Sequence, residues 1–231
     1  MSERTATPLE AVSDPLPTRS AEKRRRILIA ARGICSRRGF DAARMEEIAA
    51  EAKVSKGTLY NFFRSKEDLF IATVLESWED FRQRLAPRLD EATHPADQLA
   101  ALIDELALSF PQASEQLPVQ RQAWVVIARN PEARTRLFET LRELYRGFGE
   151  GITEILRRGQ RLGCIREDVD PHRVATSWIS IFDGLVYRND FDPELGGMGS
   201  PVELLRTSLG ALLDSALCEP DDSPTAEVEA S

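Results

Sequence analysis

The chain has 231 residues, 42% of them hydrophobic and 29% charged, with a formal net charge of −8, which suits one large or two small cored domains and excludes wholesale disorder. Its three cysteines, Cys35, Cys164 and Cys218, are far apart, form no CxxC pair and have only His94 and His172 for company, so reduced thiols are expected rather than a disulfide or zinc framework. The N-terminal "MSERTATPLEAVSDPLPTRS" lacks the basic-then-apolar pattern of a signal peptide, and no uncharged run approaches the roughly eighteen residues that span a bilayer; a soluble cytoplasmic protein is expected, with no membrane, metal or cofactor.

Residues 1–19, rich in Pro, Ser and Thr, are expected to be a disordered tail. In "SAEKRRRILIAARGICSRRGF" the apolar Ile27, Ala30, Ala31 and Ile34 fall at i, i+3, i+4 and i+7, the buried stripe of a first helix that Gly39 stops. "MEEIAAEA" reads as a short second helix and "KGTLYNFF" as a third. Ser65 then caps a long fourth helix, with Asp68 three residues on, and Pro87 is expected to close it. Further helices are expected at roughly 96–110, 115–129, 131–161, 171–188 and 201–218, and no strand alternation is visible. Asn130-Pro131, Asp170-Pro171 and Ser200-Pro201 each place a capping side chain before a proline suited to the first helical position, and Glu203 adds a capping box to the last. The loop "NDFDPELGGMGS" is glycine-rich and expected to be mobile, and residues 219–231 form an acidic, proline-bearing tail expected to be disordered.

Charge is distributed unevenly along these elements. Residues 19–66 hold thirteen Lys or Arg against five acids, a net +8 that leaves −16 for the remainder. A basic module on an acidic body is the asymmetry expected when one part meets a polyanion and the other must not.

The basic module also carries a helix-turn-helix pattern. Two short helices crossing steeply need a small residue at the contact, a turn, and a branched apolar residue facing back; Ala49, Val54 and Leu59 meet these demands, and Ile48 and Phe62 close the same core. Ser55 is the natural cap of the third helix. With Leu59 and Phe62 inward, Lys56, Gly57, Thr58, Tyr60 and Asn61 face away. Thr58 can meet a phosphate or a thymine methyl, Asn61 a base edge, Lys56 guanine or phosphate, and Tyr60 the backbone. Gly57, a poor helix former by about 1 kcal/mol, lets the backbone approach a phosphate.

The stretch "GFDAARMEEIAAEAKVSKGTLYNFFRSKEDLF" resembles the DNA-binding domain of the TetR family of bacterial transcriptional repressors, and the resemblance runs without a gap from about Ser20 to Phe70. It implies an all-α protein in which a three-helix helix-turn-helix head (20–66, recognition helix about 55–62) is joined by a long fourth helix to a larger ligand-binding and dimerisation domain (67–218). It further implies a homodimer on a palindromic double-stranded DNA operator, contacted through Arg44, Ser55, Lys56, Gly57, Thr58, Tyr60, Asn61 and Lys66, and release by a small-molecule effector. Two positions depart from the family pattern. Lys53 stands where glycine is usual because the turn is left-handed, and Arg44 replaces a common hydroxyl residue.

The acidic body resembles the family more loosely. "GCIREDVDPHRVATSWISIFDGLVYR" and "SPVELLRTSLGALLDSALC" are similar to its last two helices, which implies a dimer interface from Trp178, Ile181, Phe182, Leu185, Leu205, Leu209 and Leu212, although a plain core role for some of them fits their spacing equally well. An effector pocket is expected from Leu106, Phe110, Trp124, Phe138, Tyr145 and Phe148, where the family would hold one between helices, although ordinary core packing is the stronger reading of each. No catalytic residues are expected. "SAEK" has an SxxK spacing without its companion motifs, and "GFGEG" lies in a helical pattern with no preceding strand. The alternatives to a repressor are an activator or a regulator without a ligand.

Overall fold

The computed structural model describes residues 18–192 and 199–218. Its helices are α1 (Thr18–Arg38), α2 (Met45–Glu51), α3 (Lys56–Phe62), α4 (Lys66–Glu91), α5 (Pro95–Ile127), α6 (Pro131–Arg161), α7 (Pro171–Asn189) and α8 (Pro201–Ala216). The only extended pairing among the described residues is an isolated antiparallel bridge between Ile165 and Leu217. The all-helical expectation holds, and no described helix is long and apolar enough to cross a membrane.

Capping chemistry places most of these boundaries. Gly39, at φ +81, donates its N–H to the Cys35 carbonyl at 2.7 Å and ends α1. Ser65 accepts the Asp68 N–H, Asn130 those of Glu132 and Ala133, and Asp170 those of His172 and Arg173. Ser200 makes no side-chain cap bond, so the expected capping box on α8 is absent.

Two prolines, Pro87 and Pro111, are tolerated where a helix end was expected, and Pro118 lies within a helix as expected. Pro87 lies inside α4, which continues to Glu91, and the two helices expected between 96 and 129 are one, α5, with Pro111 and Pro118 inside it. All three prolines are exposed. Gln83, four residues before Pro87, is exposed, so water can bond the carbonyl that Pro87 releases. At the N-terminus Thr18 and Arg19 already belong to α1. The remainder of the expected tail (1–17), the C-terminal tail and positions 193–198 of the glycine-rich loop lie outside the described residues.

Two apolar cores hold the helices. The first gathers the α1 stripe (Ile27, Ala30, Ala31, Ile34) with Ile48, Ala49 and Leu59, the start of α4, and Ala123, Ile127, Ala133 and Leu137 from α5 and α6. The second fills the body between α4, α5, α6, α7 and α8. Because the first core draws on α5 and α6, the N-terminal helices share buried surface with the body. Polar ties reinforce this: Phe40 N–H donates to Gln122 Oε1 at 2.9 Å, Arg136 meets Asp68 at 2.8 Å, and Arg24 meets Glu76 at 3.0 Å.

Candidate nucleic-acid interface

The turn between α2 and α3 is built on one left-handed residue. Lys53 has φ +54 and is the only non-glycine residue with positive φ among the described ones. Its N–H donates to Ala50 O at 3.1 Å while the Val54 N–H reaches back to Ala49 O at 3.0 Å, the paired bonds that close a helix end through a left-handed residue. The turn therefore keeps the geometry glycine would provide, at a backbone cost of roughly 1–2 kcal/mol.

The next residues orient α3. Ser55 Oγ accepts the Thr58 N–H at 3.1 Å and lies 2.8 Å from Thr58 Oγ1. Leu59 is fully buried and Phe62 half-buried against Ile48 and Ala49. Rotation of α3 is thereby fixed, and Lys56, Gly57, Tyr60 and Asn61 are exposed with Thr58 half-buried beside them. Tyr60 is 40% accessible, so it is not a packing tyrosine. A Cβ on Gly57 would meet only Ser55 Oγ, at 4.0 Å. Nothing within the chain requires glycine there.

Ion pairs shape the field of this face. Lys56 Nζ sits 2.6 Å from Glu46 Oε1 on α2 and 5.8 Å from the centre of the Tyr60 ring. The bond from Lys56 holds the Glu46 carboxyl below its ordinary pKa, and the same bond raises that of Lys56. Arg38 pairs with Glu47 at 2.8 Å and Arg37 with Glu51 at 3.4 Å. Arg44, at the N-cap of α2, is exposed, as are Lys53 and Arg64.

Lys66 is placed differently from the other expected contacts. Its ammonium donates to the carbonyls of Phe40 and Asp41, each at 2.9 Å, and of Ala43 at 3.2 Å, and lies 4.7 Å from the centre of the Phe40 ring. Three donors meet three acceptors. Lys66 thus pins the α1–α2 corner to the start of α4 rather than presenting its charge outward.

In the body, the six residues expected around an effector differ in exposure. Leu106, Phe110 and Phe148 are buried, whereas Trp124, Phe138 and Tyr145 are 38%, 49% and 36% exposed. Tyr145 and Phe148 do join Trp78 and Phe81 in a set of edge-on aromatic contacts with centroids 5.4–6.1 Å apart. Tyr145 donates its hydroxyl to Asp183 Oδ2 at 2.9 Å, a partnership with no periodic signature along the chain. Burial pushes the Asp183 carboxyl above the usual carboxylate range, with the Tyr145 bond opposing, and burial likewise raises Tyr145 and Tyr187. A small cleft of about 30 Å³ lies elsewhere, between α1, α4 and α5, lined by Arg32, Cys35, Phe40, Thr73 and Gln116 among others.

The seven residues expected at a dimer interface divide in two. Trp178, Leu205 and Leu209 are completely enclosed by their own chain, because α8 turns this face into the body core, so they are core residues. Ile181, Phe182, Leu185 and Leu212 are half-buried and retain accessible apolar surface.

Comparison with known proteins agrees with the architecture. The family described as "Bacterial regulatory proteins, tetR family" matches residues 27–73, and "BetI-type transcriptional repressor, C-terminal" matches residues 95–214. The HTH-type transcriptional regulator UidR of Escherichia coli (strain K12) is 27% identical over 205 residues, 88% of this chain and 99% of its own. A protein from Saccharomonospora viridis, solved in complex with choline, superposes with TM-score 0.62 at 25% identity, over 86% of this chain and 99% of that one. A TetR transcription regulator from Haloarcula marismortui ATCC 43049 shares the fold with TM-score 0.68 at 21% identity, over 86% of this chain and all of that one, 100%. With a helix-turn-helix matched at one end and a BetI-type body matched over half its length, the protein belongs to the TetR family of DNA-binding transcriptional regulators and is not an enzyme.

Proposed function

We propose that the protein is a cytoplasmic repressor that binds a palindromic operator as a homodimer and is released by a small-molecule effector. The observation that carries this reading is the outward face of α3, where Lys56, Gly57, Tyr60 and Asn61 are exposed on a helix whose rotation Leu59 and Ser55 fix. Thr58, Tyr60 and Asn61 supply the base-edge and backbone contacts, Lys56, Arg44 and Lys53 the phosphate contacts, and Lys66 acts indirectly by holding the corner from which α2 starts. Two copies of α7 and α8 pair through Ile181, Phe182, Leu185 and Leu212. An effector that binds the body better when the two heads are out of register with successive grooves shifts the population away from DNA.

The test is fluorescence anisotropy with the DNA upstream of the protein's own gene against a shuffled duplex, across a salt series. Tight binding to the former, with a slope of log K against log[salt] near −9 for about ten phosphates neutralised per dimer, supports the reading. Equal affinity for both duplexes, or a flat salt dependence, overturns it.

A regulator without a small-molecule ligand is the second reading. It is favoured by the division of the six expected pocket residues between core and surface. The similar Saccharomonospora viridis protein solved with choline favours the first. A thermal-shift screen separates them, since a ligand at 100 times its Kd adds about 2.7 kcal/mol.

A further inference from the structure

The segment leaving α6 and the residues leaving α8 run antiparallel for a few residues. Ile165 faces Leu217, the Arg166 N–H donates to Ala216 O at 2.9 Å, and the Cys218 N–H donates to Cys164 O at 3.1 Å. This register sets Cys164 directly opposite Cys218. Ile165 is buried in the body core and Leu217 packs against it. Cys164 and Cys218 flank this bridge, and the Cys218 thiol is near enough to act electrostatically on that of Cys164. Both are half-buried free thiols. The Cys218 N–H reaches Cys164 O while the Cys164 N–H turns back to Gly159 O at 3.0 Å, so the pair has one of the two bonds of an antiparallel pair whose Cα atoms lie about 5.5 Å apart, a spacing within the roughly 4.4–6.8 Å that a disulfide spans.

From this register we propose that Cys164 and Cys218 are a modification site, at which hydrogen peroxide creates a reversible intramolecular disulfide stapling the α6–α7 turn to the end of α8. The Cys164 S–H is already donated to the Gly159 carbonyl at 3.4 Å, and burial raises its pKa. The first oxidation therefore falls on Cys218. Its thiolate attacks a peroxide oxygen, the O–O bond breaks, and hydroxide departs as water with a proton from the medium, leaving a sulfenic acid. The Cys164 thiolate attacks that sulfur; the S–S bond forms, the S–O bond breaks, and a second water leaves. The two sulfurs lose two electrons, the thiol protons are accounted for in the water formed, and one peroxide becomes two waters.

The closed loop contains the whole of α7 and α8. Cross-linking it restricts the unfolded chain and holds the two helices together at their far ends. In a reducing compartment such a bond is transient, which suits sensing rather than permanent structure. Cys35 takes no part, being buried in α1 within the other core. The chemistry does not depend on how the protein reads DNA.

The full chain, purified reduced, is treated with a small excess of hydrogen peroxide, alkylated, and mapped by mass spectrometry without reductant. A peptide linking Cys164 to Cys218 is expected, with thiols titratable in denaturant falling from three to one. The intact mass should fall by two hydrogens and the melting midpoint rise by several degrees, all reversed by dithiothreitol. Cys35→Ser should leave this pattern intact, and Cys164→Ser and Cys218→Ser should each abolish it. Should Cys164→Ser disturb folding around Gly159, the Cys218→Ser protein decides alone, since its side chain lies at the end of the described chain. A cross-link through Cys35, a Cys218–Cys218 link between two chains, or overoxidation of either thiol with no link overturns the proposal.

Discussion

Gln122 on α5 accepts the backbone N–H of Phe40 at 2.9 Å, placing a body side chain directly on the corner from which the DNA-binding head turns. A Cβ on the adjacent Gly39 would lie 2.4 Å from the same Gln122 oxygen, and Gly39 already has φ +81. Gln122→Ala should cost about 1 kcal/mol by denaturant titration and speed hydrogen exchange at the Phe40 amide. Gly39→Ala should cost more, through both backbone strain and displacement of the glutamine. The double variant should cost less than the sum, because the glutamine is lost once. Strict additivity would show that the two positions are not coupled.

Lys53→Gly should stabilise the protein. A left-handed lysine is strained where glycine is not, and the expected gain is about 0.5–1 kcal/mol in chemical denaturation after allowing for the greater freedom of glycine in the unfolded chain. If Lys53 also meets a phosphate, the same variant should bind DNA more weakly and lower the salt slope by about 1. Greater stability with unchanged affinity would confine Lys53 to the turn.

Glu46→Gln should tighten DNA binding. Glu46 holds Lys56 at 2.6 Å on an exposed face and sets a negative charge beside the recognition helix. Releasing Lys56 should raise affinity several-fold at low salt, with the gain fading as salt screens it, and should raise affinity for shuffled DNA at least as much as for the operator. Anisotropy at two salt concentrations checks this; no change in either affinity would show that Lys56 stays clear of the phosphates.

Asp183 should make the body more stable in mild acid. Its folded pKa is raised by burial, so between the ordinary value near 3.9 and the raised one the folded chain keeps a proton that the unfolded chain has lost. Stability is full below that window and falls as pH rises through it. Asp183→Asn should flatten the dependence and raise the melting midpoint at neutral pH. Tyr145→Phe removes the bond to Asp183 Oδ2, and should lower stability at neutral pH by about 1–2 kcal/mol while extending the window upward.

What was legible from the amino-acid order was local. The α1 stripe, Ser55, Ser65, Asn130 and Asp170 act within four residues of themselves, and each does in the fold what its chemistry suggests. The left-handed turn at Lys53 was foreseeable because the family motif requires it even without glycine. Illegible features depend on distant partners. Pro111 remains inside α5 because the helix presents it to water. Leu205 and Leu209 have interface-like spacing, yet α8 turns them inward. Lys66 finds its carbonyls more than twenty residues upstream, and Cys164 meets Cys218 only after two intervening helices fold back.

The grip of Lys66 on the carbonyls of Phe40, Asp41 and Ala43 leaves the α1–α2 corner no swivel of its own relative to the beginning of α4. The 26 residues of α4 make a rod roughly 39 Å long at about 1.5 Å per residue. A tilt of about 5° around its distant end would carry the head sideways by roughly 3 Å, close to the 3.4 Å rise of one base pair. A single amine thus turns a slight lean of the trunk into a whole-step slip along the double helix.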